Sequence, residues 1–152
     1  MPYPSLAAAA LVAALAGAAP VASPVTAPEP AGGAPGAPAE RLTVTVTDSG
    51  TADGVYRLRC HPSGGNHPDS RAACDALDSA LASGSDPFAP VPRDQMCTHL
   101  YGGPAAARVE GTWKGEPVRA RFNRANGCEI ARWDNLVPLL PQPGAEEPWS
   151  AR

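Results

Sequence analysis

Residues 41–60 read RLTVTVTDSGTADGVYRLRC, and this stretch decides the fold. Residues 42–47 alternate apolar side chains with threonines, which is the pattern of a half-buried β-strand. Residues 48–54 are a cluster of turn-forming types, and residues 55–60 then alternate again. Because side chains on a strand point alternately to opposite faces, the two segments are predicted to form a hairpin with one buried face.

The rest of the predicted folded body adds a helix and more strands. Asp69 or Ser70 can cap a helix in which small and apolar residues follow at helical spacing as far as Leu81, and Gly84 ends it. Residues 61–68 are predicted to form a loop with Gly64-Gly65-Asn66 as its turn. Candidates for the remaining strands lie at residues 107–113, 118–122, 129–133 and 136–140, of which 129–133 is short. Together the pattern predicts an α+β fold, with a five-stranded antiparallel sheet and one or two helices packed on one face.

The length and the composition of the ends predict one domain with processed or disordered flanks. A chain of 152 residues fits a single domain. Residues 6–19 form an apolar run that is too short to span a bilayer and suits the core of a signal peptide, so a secreted protein is expected. The predicted organisation is a signal peptide at 1–22, a disordered Pro/Ala-rich segment at 23–40, a folded domain at 41–140 and a disordered tail at 141–152.

The four cysteines are Cys60, Cys74, Cys97 and Cys128. An even number in a secreted chain indicates two disulfides, each stabilising the fold by about 3–4 kcal/mol. Four cysteines allow three pairings, and their spacing alone does not choose among them. The Cys-x-x-Cys spacing of a zinc site does not occur, so no metal or other cofactor is predicted.

Two other classes of function find little support. The net charge is −3 and the basic residues are scattered, with only a modest cluster at Arg119, Arg121 and Arg124, so no nucleic-acid partner is predicted. His61 and His67 lie in a loop beside prolines, where a solvated polar role is the usual one. No Gly-x-Ser-x-Gly nucleophile motif occurs, and the chain is predicted not to be an enzyme.

Residues 94–104 read DQMCTHLYGGP and look like a tether that begins at a cysteine and ends at Gly-Gly-Pro. An extended segment that is anchored and exposed can lie in a protease cleft as a substrate does, with main-chain hydrogen bonds to the enzyme. The alternative is an ordinary surface loop on a secreted, disulfide-bonded binding or structural module without protease inhibition.

Several short motifs follow one another along the chain in an order and at a spacing that are characteristic of one family. They are the strand at 42–46, Leu58-Arg59-Cys60, His67-Pro68 before Cys74, Met96-Cys97-x-x-x-Tyr101, Gly111-Thr112-Trp113-Lys114-Gly115 and Asn126-Gly127-Cys128-Glu129. In this respect the chain resembles the Streptomyces subtilisin inhibitor family over residues 41–140. The resemblance implies a secreted inhibitor of subtilisin-like serine proteases, usually a homodimer, with Cys60–Cys74 and Cys97–Cys128 disulfides. No nucleic-acid or membrane partner is predicted.

The resemblance also assigns residues to the reactive site. It implies a scissile bond between His99 and Leu100, with His99 in the S1 pocket of the protease. The other loop residues that would contact the protease are Met96, Cys97, Thr98, Tyr101 and Gly102. Asn126 would brace the loop from behind. This loop has Thr98 where the family commonly has proline, and His99 where it often has methionine or lysine.

Overall fold

The computed structural model describes residues 39–145 and 148–149. The predicted signal peptide and nearly all of the predicted Pro/Ala-rich segment lie outside these residues. The described part of the chain forms one antiparallel sheet of five strands, in the order β3-β2-β1-β4-β5, and two helices. The elements are β1 (Arg41–Thr47), β2 (Gly54–Arg59), β3 (Gly64–Gly65), α1 (Ser70–Ala82), β4 (Ala106–Trp113), β5 (Glu116–Phe122) and α2 (Gly127–Asp134). The α+β prediction is confirmed.

Strand β1 lies at the centre of the sheet, and its alternating sequence sets the two faces. Val44 is opposite Tyr56 on β2 and Val109 on β4, and both valines are fully buried. Thr43 and Thr45 point to the other face and are half-buried. We call this second face, which the helices do not cover, the outer face of the sheet.

Both helices pack on the inner face. Leu77 of α1 and Trp133 of α2 are fully buried in the same apolar cluster as Val44 and Val109. The indole N–H of Trp133 donates a hydrogen bond of 2.8 Å to the carbonyl of Pro141. The prediction that one or two helices cover one face is therefore confirmed, with two helices.

Two disulfides connect these layers. Cys60, which follows β2, is bonded to Cys74 in α1 with a Cα–Cα distance of 5.7 Å. Cys97 is bonded to Cys128 in the first turn of α2 with a Cα–Cα distance of 5.4 Å. The pairing implied by the family resemblance is confirmed.

Three of the predicted elements are wrong. Residues 129–133 belong to helix α2 and not to a strand, because Asn126 caps the helix and accepts a hydrogen bond of 3.0 Å from the amide of Glu129. Residues 136–140 form turns and not a closing strand, although Leu139 and Leu140 are fully buried. The fifth strand is Gly64–Gly65, predicted as a turn, which pairs with the end of β2.

Part of the predicted C-terminal tail is among the described residues. Trp149 packs its ring against two side chains of the folded body, with ring-centroid distances of 5.1 Å to Tyr56 and 4.5 Å to His67. His67 itself is buried and not solvated, with one ring nitrogen 3.1 Å from the carbonyl of Leu139. None of the helices in the described ranges has the length and apolar character needed to cross a membrane.

A group of four charged side chains joins the start of the sheet to α1 and to the β4–β5 turn. The ring of His61 contacts Glu40 through Nδ1, and its Nε2 lies 2.7 Å from the carboxylate of Asp78. Lys114 Nζ lies 3.1 Å from each of the same two carboxylates. The hydrogen bond with Asp78, and then that with Glu40, raises the pKa of His61.

We expect the free energy of unfolding to decline as the pH rises from about 6.5 through the raised pKa of His61, because His61 then loses its proton. A raised histidine pKa gives a contribution that is complete below the unfolded value of about 6.5 and is lost as the pH passes the folded pKa. Urea unfolding of the parent and of His61→Gln at several pH values would measure this. The variant should lack the decline, and an identical decline in both proteins would assign it to other groups.

His67 provides the internal control for that measurement. Burial lowers the pKa of His67, so its contribution has the opposite sign and is lost as the pH falls below about 6.5. The loss on the acid side should therefore persist in His61→Gln. Its disappearance in that variant would mean that the two histidines are coupled.

Candidate functional site

The segment from Asp94 to Pro104 is an exposed loop that leads into β4. Residues 95–103 adopt neither helix nor strand. Met96 is 94% exposed, Leu100 62% and Tyr101 71%. Large apolar side chains with this exposure, side by side on one loop, are typical of a surface that binds a partner. We call residues 96–102 the binding loop.

The base of the binding loop is tied to the segment that follows β5. The amide of Gly127 donates a hydrogen bond of 3.0 Å to the carbonyl of Thr98. The amide of Gly102 donates one of 2.8 Å to the carbonyl of Arg124. With the Cys97–Cys128 disulfide, these contacts fix the loop on both sides of its tip.

Three residues lie between the two ties, and their main chain is free. Within the described residues, the amides of His99, Leu100 and Tyr101 have no backbone hydrogen-bond acceptor in the chain. All three residues are exposed. Their N–H and C=O groups are therefore available for main-chain hydrogen bonds to another protein.

Arg124 supports the loop from beneath, and the sequence reasoning missed this role. Its Nε donates a hydrogen bond of 3.0 Å to the carbonyl of Gly102, and its guanidinium forms an ion pair of 2.7 Å with Asp134. The side chain is only 13% exposed and lies 5.8 Å from the ring of Trp133. From the sequence, Arg124 was predicted only to belong to a modest basic cluster with Arg119 and Arg121. The contact with Gly102 depends on tertiary structure and leaves no local signal.

Asn126 was predicted to brace the loop, and this stays a prediction. The hydrogen bond that the structure shows for its side chain caps helix α2. The neighbouring Gly127 makes the hydrogen bond to the loop.

Two glycines let the loop approach its support closely. A Cβ atom on Gly127 would lie 2.0 Å from Oγ1 of Thr98, and one on Gly102 would lie 2.8 Å from the side chain of Ile130. Real Cβ atoms essentially never have a neighbour this close, so a larger residue at either position would force the facing side chain of Thr98 or Ile130 to move. Among the described residues there is also no group of three or more metal-ligating side chains.

The comparisons with known proteins agree on one family. The model of the family described as "Subtilisin inhibitor-like" matches residues 37–126. Subtilisin inhibitor-like protein 1 of Streptomyces cacaoi is 34% identical over 104 residues, which cover 65% of this chain and 90% of that protein. Protease inhibitor SIL-V1/SIL-V4 of Streptomyces netropsis is 36% identical over 100 residues, covering 63% and 89% respectively.

Two further similarities cover different shares of the proteins concerned. The transglutaminase-activating metalloprotease inhibitor of Streptomyces mobaraensis is 34% identical over 93 residues. The match takes in 59% of this chain and spans 62% of the length of that relative. Sermetstatin of Streptomyces caespitosus, solved in complex with Bacillus licheniformis subtilisin, is 25% identical over 64% of this chain and 90% of its own, with a TM-score of 0.37.

Proposed function

This chain belongs to the subtilisin inhibitor-like family, and on that premise we propose that it is a secreted protein inhibitor of subtilisin-like serine proteases. The observation that carries the proposal is the free main chain of His99, Leu100 and Tyr101 between two fixed ends of the binding loop. A protease cleft binds a substrate as an extended segment, through main-chain hydrogen bonds and one side chain in a pocket. The named relatives that are protease inhibitors support the same activity.

In this proposal the loop binds as a substrate would. His99 enters the S1 pocket, and its carbonyl meets the protease serine with the oxygen in the oxyanion hole. Leu100 and Tyr101 occupy the primed side, while Thr98, Cys97 and Met96 occupy the subsites before S1. A histidine side chain suits a roomy, mainly apolar pocket better than a pocket that selects long cations.

Cleavage of the His99–Leu100 bond would not release the new ends. Thr98 is tied to Gly127, and Gly102 to Arg124, so the chain on each side of the bond stays in place. The amine of Leu100 would then remain beside the acyl group, where its effective concentration is very high, and the bond would re-form faster than water hydrolyses it. The loop loses its conformational entropy when the protein folds, so binding to the protease carries no further entropy cost for ordering it.

Three further parts of the proposal concern the whole molecule. The chain acts as an inhibitor and not as an enzyme, and it works outside the cell. The homodimer implied by the family resemblance stays a prediction. The competing function is a secreted binding or structural module without protease inhibition, in which residues 98–101 are an ordinary surface loop.

A titration of a subtilisin-type protease with the purified, oxidised protein tests the proposal. Residual activity should fall linearly to a stoichiometric end-point, because protease–inhibitor complexes of standard interface size are among the tightest known. The protein used should have both disulfides confirmed by mass. Full protease activity at micromolar excess of such a protein would contradict inhibition and favour the binding module.

The Gly127→Ala variant should test the support of the loop through Thr98, and Gly127 is not itself among the residues proposed to contact the protease. The added methyl group would collide with the side chain of Thr98 and force it to move, so inhibition should weaken by about 1–2 kcal/mol, roughly tenfold. Inhibition constants of the parent and the variant would measure this. Gly84→Ala is the control, since nothing lies within 4 Å of a Cβ at that position, and thermal unfolding should measure the strain that its positive φ adds. Equal inhibition by Gly127→Ala and the parent would show that the tie to Thr98 does not matter.

A further inference from the structure

The turn that supports the binding loop contains the one Asn-Gly pair of the chain, Asn126-Gly127. Glycine has no side chain to keep its amide nitrogen away from the carboxamide of the residue before it. That nitrogen can attack Cγ of the asparagine and expel ammonia, which is the first step of deamidation. The other asparagines are followed by histidine, arginine or leucine, whose side chains obstruct this approach.

The same glycine is needed for the tie between the loop and its support. Its amide donates the hydrogen bond of 3.0 Å to the carbonyl of Thr98. A Cβ atom at this position would lie 2.0 Å from Oγ1 of Thr98, so a larger residue would force that side chain to move. The feature that allows the tie therefore also makes Asn126 chemically labile.

In the closed loop, the reacting atoms of the pair are held apart. The N–H of Gly127 is engaged by Thr98, which keeps its proton away from a base. The backbone of Asn126 is extended, with φ −153° and ψ 174°, and this staggers the nitrogen of Gly127 relative to Cβ of Asn126. The side-chain oxygen is held as well, because it accepts the hydrogen bond of 3.0 Å from the amide of Glu129. Attack therefore requires the base of the loop to open.

The group that must leave is free. Within the described residues, the side-chain nitrogen of Asn126 donates no hydrogen bond, whereas the side-chain oxygen caps helix α2. Asn126 is half-buried, so water reaches it. Opening of the base is thus the step that decides whether the pair reacts.

We propose that Asn126 is a site of spontaneous deamidation that the binding loop controls. While the tie to Thr98 is closed, the pair is protected. When the base opens, the nitrogen of Gly127 gives up its proton and attacks Cγ of Asn126, the bond from Cγ to the side-chain nitrogen breaks, and ammonia leaves. Water then opens the cyclic imide at either of its carbonyls and gives aspartate or isoaspartate. The reaction consumes one water molecule, releases one ammonia and needs no oxidant or reductant.

The two products act differently on the loop. Aspartate keeps the course of the main chain, and it caps a helix as well as asparagine does. Isoaspartate routes the main chain through the side chain, which adds a methylene group before Gly127 and changes the position of the capping oxygen. Gly127 is then displaced from Thr98, so the base does not close again. Loop opening would thereby become a permanent loss of inhibition, a last step that rests on the proposed function.

The rate of deamidation at Asn126 in the full, oxidised protein tests the proposal, followed by mass spectrometry of its peptides during incubation at mildly alkaline pH. The native protein should react about 100-fold more slowly than the reduced protein unfolded in urea, because the reaction follows the population of the open form. The double variant Cys97→Ser with Cys128→Ser should react at least about tenfold faster than the native parent, since the base has lost its covalent anchor.

The matched control is Cys60→Ser with Cys74→Ser, which removes a disulfide of similar stabilising effect that includes no residue of the loop. It should react at the rate of the parent, and thermal unfolding confirms that both double variants are folded during the incubation. Equal acceleration in both would overturn the proposal, because global unfolding would then expose the pair. Equal rates in the native and the unfolded parent, a comparison that needs no variant, would also overturn it.

Inhibition of a subtilisin-type protease by the separated products tests the consequence for the loop. The isoaspartate form should inhibit about tenfold more weakly than the aspartate form. Asn126→Ser keeps a helix N-cap and cannot form the cyclic imide, so its inhibition constant should stay constant during an incubation in which the parent loses activity. Equal inhibition by the two products would overturn this consequence. Absence of inhibition by the fresh parent would contradict the proposed function alone, because the deamidation rates are measured without protease.

Discussion

Replacing His99 by glycine is expected to weaken inhibition of a subtilisin-type protease by about 3 kcal/mol, roughly 150-fold. In the proposed complex His99 fills the S1 pocket, and the side chain in that pocket carries most of the binding energy of such interfaces. Glycine leaves the pocket empty and adds backbone freedom at the tip of the loop. Inhibition constants for the parent and His99→Gly, measured with one protease, give the difference directly.

Two controls make this result interpretable. Val55→Ala shortens a side chain that is 52% exposed on the outer face of the sheet, and it should inhibit as the parent does. His99→Met keeps a large side chain for the pocket and should restore most of the lost affinity. A loss of less than threefold in His99→Gly would place the anchor elsewhere on the loop, with Leu100 as the next residue to replace.

Removing the disulfide at the base of the binding loop, with Cys97→Ser and Cys128→Ser together, should turn an inhibitor into a substrate. The bond joins residues 31 apart in sequence, and its loss should lower the free energy of unfolding by about 4 kcal/mol. The loop would keep its hydrogen bonds to Gly127 and Arg124 but lose its covalent anchor. After incubation with protease, mass spectrometry should show cleavage at His99–Leu100, and protease activity should recover.

Removing the other disulfide tests whether a loss of stability alone impairs the action of the loop. Cys60→Ser with Cys74→Ser opens a closure of 14 residues and should cost about 3 kcal/mol of stability. It joins Cys60, which follows β2, to Cys74 in α1, and neither residue belongs to the binding loop. This variant should still titrate the protease stoichiometrically at room temperature. Equal conversion to a substrate in both double variants would mean that global stability, and not the anchor at Cys97, protects the loop.

The outline of the fold was predictable because its central hairpin follows the period of a strand. Helix α2 was missed because it spans only eight residues, too few for a helical period to be distinguished from a short strand. The overlooked signal was Asn126 followed three residues later by Glu129, which is typical of a helix N-terminus. Strand β3 could not be predicted locally, because glycine disfavours strands and the pairing of Gly64–Gly65 depends on β2.

The sequence predicted the position of the binding loop better than the position of its supports. Cys97 and the Gly-Gly-Pro run marked the two ends of the loop, and the exposure of its residues fits that interpretation. Arg124 lies more than twenty residues from Gly102 in the sequence, so its contact with the loop appears only in the folded chain.

Amide hydrogen exchange at the two hydrogen bonds at the base of the loop can measure how often the loop opens. The amide protons of Gly102 and Gly127 are held by Arg124 and Thr98, whereas those of His99, Leu100 and Tyr101 have no backbone acceptor within the described residues. Deuterium should therefore replace the tip amides within the dead time, while the two glycine amides exchange only when the base opens. Their protection factors would measure the free energy that keeps the loop closed, residue by residue and in the absence of any protease.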